Sequence, residues 1–181
     1  AAPNATLAAI HLSKQQSPLK QPVYSAALAY LLSQVLGFDE GNQEALLYAV
    51  LTCNMTFYEY QVLLNTMDGK LTDAQKAKLQ KHPVQAAQFM EAAGFINPYM
   101  IKAIRQHHER LDGSGYPNQI KGDEISMMAL IIQICETYTA RIDNRAYRKA
   151  VNPRDALAPL LKETDKRMKD LLLSFARAIG I

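Results

Sequence analysis

Residues 107–117 combine the side chains that most often hold a metal ion or a phosphate group. These eleven residues read His-His-Glu-Arg-Leu-Asp-Gly-Ser-Gly-Tyr-Pro and include half of the chain's four histidines. Gly113 and Gly115 permit a positive φ angle or a close approach of the backbone to a ligand. Pro117 fixes its own φ and lacks a backbone donor. The pattern predicts a helix that ends in the histidine pair, followed by a shaped loop beside a ligand.

Two residues outside this stretch offer the same chemistry. His82 directly precedes Pro83, and Glu136 lies within a largely apolar segment, 126–142. A buried carboxylate needs a partner, so we interpret Glu136 as a metal ligand or as a histidine partner. Simpler interpretations stay open. His82 could lie on the surface at a helix start, and the pair His107-His108 could be cations at a helix C-terminus.

The run His107-His108-Glu109-Arg110, followed by Gly115-Tyr116-Pro117, resembles the signature of the HD-GYP domain. The resemblance continues in Lys81-His82-Pro83 and in Asn144–Ala150, and it covers about residues 20–165. It implies the all-α fold of the HD superfamily, with about seven or eight helices around a central site. It also implies metal-dependent phosphohydrolase activity on the bacterial messenger cyclic di-GMP.

The resemblance implies a set of metal ligands that this chain matches only in part. Three histidines and one carboxylate correspond to family ligands: His82, His107, His108 and Glu136, where Glu136 replaces an aspartate. Imidazole and carboxylate together suit iron or manganese, and two such ions can activate a bridging hydroxide.

The family's His-Asp pair is replaced by Cys53 and Asn54, and Phe57 takes the place of a common lysine. Asn54 is neutral and cannot replace a bridging anion. Cys53 is either a buried small residue or a thiolate ligand of softer metal preference. We predict that the ordinary two-metal centre does not form. A partial site for one iron, manganese or zinc ion remains open.

Ligand and partner contacts are predicted at two further places. Arg145 and Arg148 lie three residues apart and could bind phosphate bidentately, or they form a solvated basic helix end. Tyr116 could stack on a base, donate to a phosphate or simply pack the loop. The resemblance also implies contact with GGDEF-domain proteins through a loop formed by Asp112, Gly113, Gly115, Tyr116 and Pro117.

Helical periodicity, caps and prolines predict the elements that must position these residues. We expect a connection over 61–69 and helices over about 23–36, 42–52, 72–79, 83–94, 98–108, 126–142, from 153, and over 165–179. No alternation typical of a strand is present. The prediction is therefore an all-α protein.

Length and composition favour one soluble domain. The 181 residues are 49% hydrophobic and 20% charged, with a net charge of +3, so we expect no nucleic-acid binding. No apolar run approaches the ~20 residues of a membrane span, and no signal peptide is recognisable. We expect a cytoplasmic protein without membrane insertion. The two cysteines form no disulfide framework.

The domain is expected to span 1–181, with residues 1–20 as a lead-in. Because the chain begins at Ala1 without Met, we expect an excised part of a longer protein, behind a sensor or receiver domain. The predicted function is that of a catalytically inactive HD-GYP domain that binds cyclic di-GMP or a protein partner. The alternatives are an active phosphodiesterase with an altered metal centre and a hydrolase of another phosphorylated substrate.

Overall fold

The computed structural model describes residues 19–67, 70–144, 149–162 and 165–180. Within these ranges the chain forms seven α-helices and no β-strand, which confirms the all-α prediction. The helices are α1 (Lys20–Val35), α2 (Glu40–Thr52), α3 (Tyr58–Thr66), α4 (Asp73–Ala92), α5 (Pro98–Gln106), α6 (Met127–Ile142) and α7 (Lys166–Ile179).

Helix α6 forms the centre of the molecule. Its nine residues 128–136 are all buried, as expected for a helix that is surrounded by others. Helices α1, α5 and α7 pack against it. Two polar residues, Gln133 and Glu136, lie within this buried run. Buried polar groups need partners, so their surroundings point to the site.

The predicted break at Pro83 is wrong, because α4 continues through it from Asp73 to Ala92. Proline lacks the N–H group that would bond to the carbonyl oxygen of Leu79, four residues earlier. That oxygen instead contacts His82 Nδ1 at 2.6 Å. The side chain thus replaces the missing backbone bond. His82 itself is only 1% exposed, which excludes the surface interpretation.

Two further expectations about helices are wrong. Residues 61–66 belong to helix α3 rather than to a connection. Pro153 opens a short 3-10 segment, Pro153–Asp155, in place of an α-helix. Pro159 explains the difference, because it lacks an N–H donor and disfavours the helical conformation of the residue before it.

The predicted starts of α5 and α6 are confirmed by their caps. Asn97 accepts from the backbone N–H groups of Tyr99 and Met100 at the start of α5. Ser126 accepts from the N–H of Ala129 at the start of α6. Such caps satisfy the free N–H groups of the first turn.

In the described part of the chain, no helix combines the length and the apolar character that crossing a bilayer requires.

Candidate metal centre

Three histidines from two helices meet in the interior. His82 comes from α4, whereas His107 and His108 directly follow α5. The ring centroid of His82 lies 5.1 Å from that of His107 and 4.9 Å from that of His108. The Nε2 atoms of His82 and His107 are 3.1 Å apart. The structure therefore brings all three predicted histidines into one cluster.

Backbone carbonyls fix the tautomers of two of these rings. His82 Nδ1 contacts the oxygen of Leu79 at 2.6 Å, and His107 Nδ1 contacts that of Ile104 at 2.7 Å. A carbonyl oxygen only accepts, so both Nδ1 atoms must carry hydrogen. In the neutral rings, the two facing Nε2 atoms then each present an electron pair. A shared cation would resolve this unfavourable contact.

Burial keeps the histidines neutral. It lowers the pKa of His82 to about 4. Burial and the nearby His82 lower the pKa of His107 to about 3. Burial and the other two rings also hold the pKa of His108 well below its ordinary value. The interpretation of His107 and His108 as cations at a helix end is therefore wrong, and neutral imidazoles are available as ligands.

Cys53 and Asn54 lie directly beside Glu136. Cys53 follows the last residue of α2, and its Sγ atom lies 3.7 Å from Glu136 Oε1. The Asn54 side-chain amide donates to the same oxygen. Burial, followed by the charge of Glu136, raises the pKa of the Cys53 thiol well above its ordinary value. The two residues at the expected His-Asp positions thus contact the carboxylate that the sequence singled out.

The described residues form two groups that could hold a metal ion. One consists of His82, His107 and His108, and the other of Cys53, His107 and Glu136. In each group, one ligand atom per residue lies within 4.8 Å of the others. His107 belongs to both groups and has one ring nitrogen available. The two groups therefore compete for it, and only one of them can be complete at a time.

Aromatic rings enclose the histidine cluster. Phe57, at the expected lysine position, stacks on His82 with 4.9 Å between centroids. Tyr116 stacks on His108 with 4.7 Å between centroids. Burial and then the charge of Glu136 raise the pKa of the Tyr116 hydroxyl. These rings shield the cluster from water, which strengthens its electrostatic interactions.

The loop of residues 112–117 is held in one shape by its own backbone. Gly113 has a φ of +80° and donates its N–H to the carbonyl of Arg110 at 2.8 Å. A Cβ atom on Gly115 would lie 2.4 Å from the backbone nitrogen of Arg110, so no larger residue fits there. Tyr116 precedes Pro117 through a cis peptide bond. Asp112 accepts from Ser114 and is exposed.

Two buried residues support the loop in roles that the sequence did not predict. Glu109 is 1% exposed, and its Oε1 atom accepts from the backbone N–H of Asn118 at 2.7 Å. Gln133 donates to the carbonyl oxygen of Glu109 at 2.9 Å and thereby links α6 to the loop. Gln133 could have been found from the sequence as a polar residue on the buried helix, three positions before Glu136. Arg145 and Arg148, the predicted phosphate ligands, lie outside the described residues.

Comparison with known proteins shows which family and which proteins this chain resembles. A family model described as an HD domain matches residues 5–170. The chain is 28% identical over 113 residues to the cyclic di-GMP phosphodiesterase PA4108 of Pseudomonas aeruginosa, covering 62% of this chain and 27% of that protein. It is 36% identical over 92 residues to the 3'3'-cGAMP-specific phosphodiesterase 3 of Vibrio cholerae, covering 50% of this chain and 19% of that protein.

A solved structure shares the fold. It is Bd1817, an HDG"Y"P protein from Bdellovibrio bacteriovorus, with a TM-score of 0.67 and 18% identity, covering 89% of this chain and 53% of that one. The chain spans about a fifth to a quarter of the two curated relatives, 19% and 27% of their lengths. Because the family model matches most of its length, the chain belongs to the HD domain family and is related to cyclic di-GMP phosphodiesterases.

Proposed function

We propose that this chain is a module of cyclic dinucleotide signalling that binds its ligand or a protein partner without hydrolysing the dinucleotide. One observation carries the proposal. The Asn54 amide donates to Glu136 at the place where the HD-GYP resemblance expects a metal-bridging aspartate. Hydrolysis by a pair of ions needs both of them to hold the attacking and leaving oxygens.

The side chains present do not fit a pair of ions. An aspartate bridge supplies a negative charge and two oxygens, whereas Asn54 is neutral and offers one carbonyl oxygen. Its N–H group is also turned toward the carboxylate that would bind metal. His107 is shared by both candidate groups, so a second ion would lack one of three ligands. The set therefore fits one ion.

The ligand class comes from the relatives. Two of them are named as phosphodiesterases of cyclic di-GMP and of 3'3'-cGAMP, both cyclic dinucleotides. In our proposal the Tyr116 ring stacks on a base of the dinucleotide at the edge of the histidine cluster. Arg145 and Arg148 bind the phosphates, because guanidinium groups pair bidentately with phosphate oxygens.

A protein partner is the second part of the proposal. Asp112 and Ser114 are exposed on a loop whose backbone is fixed by Gly113 and Gly115. A rigid, exposed loop loses little conformational entropy on binding. We propose that it contacts a GGDEF-domain protein, or a sensor or receiver domain in the same longer protein.

Hydrolysis with an altered metal centre is the competing function. It is favoured by the facing Nε2 atoms of His82 and His107, which are arranged for a cation. A single ion could still polarise a phosphate oxygen as a Lewis acid.

The test measures binding and turnover in parallel. The purified chain is dialysed against cyclic di-GMP or 3'3'-cGAMP, with and without added Mn²⁺ or Fe²⁺, and the nucleotides are then separated by chromatography. We expect one of the two dinucleotides to bind and to be recovered intact. A linear product would establish the competing function, and lack of binding to either dinucleotide would refute the proposed ligand class.

A matched variant tests the role of the replaced pair. Cys53→His together with Asn54→Asp restores an imidazole and a carboxylate beside Glu136. We expect the bound manganese or iron to rise by about one ion per chain, because the bridging anion returns. An unchanged metal content would show that these two residues do not limit metal binding.

A further inference from the structure

We propose that Cys53, His107 and Glu136 bind a single zinc-class ion, by which we mean Zn²⁺ or its substitute Co²⁺. The HD-GYP resemblance implies imidazole and carboxylate ligands at this site, whereas one of the two candidate groups in this chain contains the sulfur atom of Cys53. The proposed site would then prefer another metal and hold fewer ions than the resemblance implies.

The three side chains converge from three different parts of the fold. Cys53 caps the end of α2, His107 caps the end of α5, and Glu136 lies in the middle of α6. One ligand atom from each lies within 4.8 Å of the other two. Cys53 and His107 are 0% exposed and Glu136 is 8% exposed. Such convergence on buried helices is how proteins build fixed metal sites.

Neighbouring groups orient two of the ligands. The carbonyl oxygen of Ile104 holds the Nδ1 side of His107, so its Nε2 atom faces the cluster. The Asn54 amide donates to Glu136 Oε1 and holds the carboxylate in place. Hydrogen bonds of this kind to metal ligands fix their geometry and raise metal affinity.

Charge favours this group over the three histidines. A divalent ion brings two positive charges into a buried site, where uncompensated charge is strongly unfavourable. The Cys53 thiolate and the Glu136 carboxylate together supply two negative charges. Three neutral imidazoles would supply none.

The chemistry of sulfur favours zinc or cobalt over magnesium, calcium or manganese. Thiolate is a soft ligand, whereas those three ions prefer oxygen ligands. Zn²⁺ is commonly held by three protein side chains, with a fourth position open to water or substrate. When the ion binds, it replaces the thiol proton of Cys53, which leaves to the solvent.

Cobalt provides a direct readout. Metal-free chain is titrated with Co²⁺ while the near-ultraviolet absorption is recorded, because a thiolate bound to Co²⁺ gives a charge-transfer band. We expect the band to grow to one equivalent of Co²⁺ and to disappear when Zn²⁺ is added. The absence of a band from the saturated wild-type chain would overturn the proposal without any variant.

One variant and two controls test the assignment of Cys53 as a ligand. Cys53→Ser should abolish the band and weaken Co²⁺ binding by about tenfold or more. Cys135→Ser is the matched control, a buried cysteine outside both ligand groups, and should leave the band unchanged. His82→Gln should also keep the band, because His82 belongs only to the other group. A band that persists in Cys53→Ser, or that vanishes in Cys135→Ser, would contradict the assignment.

This inference concerns the site of the proposed function but does not require it. The cobalt band reports thiolate coordination, whereas dialysis against a cyclic dinucleotide reports ligand binding. A chain that shows the band without binding either dinucleotide would refute the proposed ligand class and leave the metal site standing. The opposite result would refute the metal site alone.

Discussion

At the scale of single residues, two carbonyl oxygens and the burial of three rings decide what the cluster can bind. The contacts of His82 with Leu79 and of His107 with Ile104 leave electron pairs on facing nitrogens. Burial lowers the pKa of both rings, so protonation does not relieve this contact near neutral pH. The same lowered pKa values make stability depend on pH.

We expect the free energy of unfolding of the metal-free chain to fall as the pH is lowered from about 6.5 to about 5. In the folded chain the pKa is about 4 for His82 and about 3 for His107. In the unfolded chain both titrate near ~6.5. Between these values the unfolded chain binds more protons, so added protons favour unfolding. Urea denaturation at closely spaced pH values measures the effect.

The His82→Gln variant provides the comparison for this profile. It removes one of the three depressed groups, so its stability should depend less steeply on pH in the same window. Carboxylates contribute mainly below about pH 5, which is why the window ends there. Equal unfolding midpoints across the window in the wild-type chain would count against neutral buried histidines.

Gly115 gives a second prediction at this scale. We expect Gly115→Ala to destabilise the fold by about 1–3 kcal/mol or more, because the new methyl group has no space. Its Cβ would lie 2.4–2.5 Å from backbone atoms of Arg110, Glu109 and His108. Thermal and urea denaturation measure the loss.

Gly41→Ala is the matched control for Gly115→Ala. Its new Cβ has Asp39 Oδ1 at 3.6 Å as its nearest neighbour, which is an ordinary contact. Gly41 also lies within α2, where alanine is favoured over glycine by about 0.5–1 kcal/mol. Equal losses in the two variants would show that the close approach at Gly115 is unimportant.

At the scale of elements, α4 shows how a helix that carries a site residue is kept intact. It begins at a capping box in which Thr72 accepts from the N–H of Gln75, and Gln75 accepts from the N–H of Thr72. It continues through Pro83 because the side chain of His82 takes the Leu79 carbonyl oxygen that the proline leaves without a donor, and His82 and Pro83 are both buried. The helix thereby extends from an exposed cap to the buried His82.

We expect Thr72→Ala to lower the free energy of unfolding by about 1 kcal/mol, because one N–H group of the first turn of α4 loses its partner. Thr56→Ala serves as the control, since Thr56 is exposed in a 3-10 segment. Surface changes of that type are usually within about 0.5 kcal/mol. Urea denaturation compares the two, and a loss in Thr56→Ala as large as in Thr72→Ala would contradict the role of the cap.

Periodicity and caps predicted most of these elements from the sequence. Asn97, Ser126 and Asp165 were followed by helices because each satisfies the first free N–H groups. The predicted helix break at Pro83 was wrong because the His82 side chain occupies the Leu79 carbonyl oxygen that proline leaves without a donor. Propensity rules do not include such side-chain contacts. The predicted α-helix from Pro153 was wrong because a second proline, Pro159, disfavours the helical conformation of the residue before it.

At the scale of the whole molecule, the candidate site connects helices that are distant in sequence. Cys53 follows α2, His107 follows α5, and Glu136 lies on the central α6. An ion bound to all three would therefore link the core helix α6 to the C-terminal ends of α2 and α5. Ligands that bind only the folded state stabilise it by mass action.

We expect Zn²⁺ at about 100 times its dissociation constant to stabilise the chain by about 2.7 kcal/mol and to raise Tm by about 5–10 °C. Differential scanning calorimetry with added Zn²⁺ measures the shift. Ca²⁺ should have little effect, since it prefers oxygen ligands. Cys53→Ser should remove most of the zinc shift, and an undiminished shift in that variant would place the ion elsewhere.

The sequence predicts that Cys53 and Asn54 stand where the HD-GYP resemblance expects a His-Asp pair, but it did not indicate what these two residues contact. Whether a thiol and an amide face a carboxylate depends on how α2 packs relative to α6, which no local pattern records. The sharing of His107 between two ligand groups likewise appears only when the helices are assembled. The supporting roles of Glu109 and Gln133 were not predicted for the same reason.

Pro83 has a consequence beyond the shape of its helix. An imidazole whose Nδ1 atom is bonded to a fixed carbonyl oxygen cannot flip its ring. The position of its Nε2 atom is therefore set before any ligand binds. His82 therefore presents its Nε2 electron pair to His107 in a fixed position, with 3.1 Å between the two nitrogens. The missing hydrogen of one imino acid thus limits the rotation of the ring that packs against His107, a ligand of the proposed zinc site.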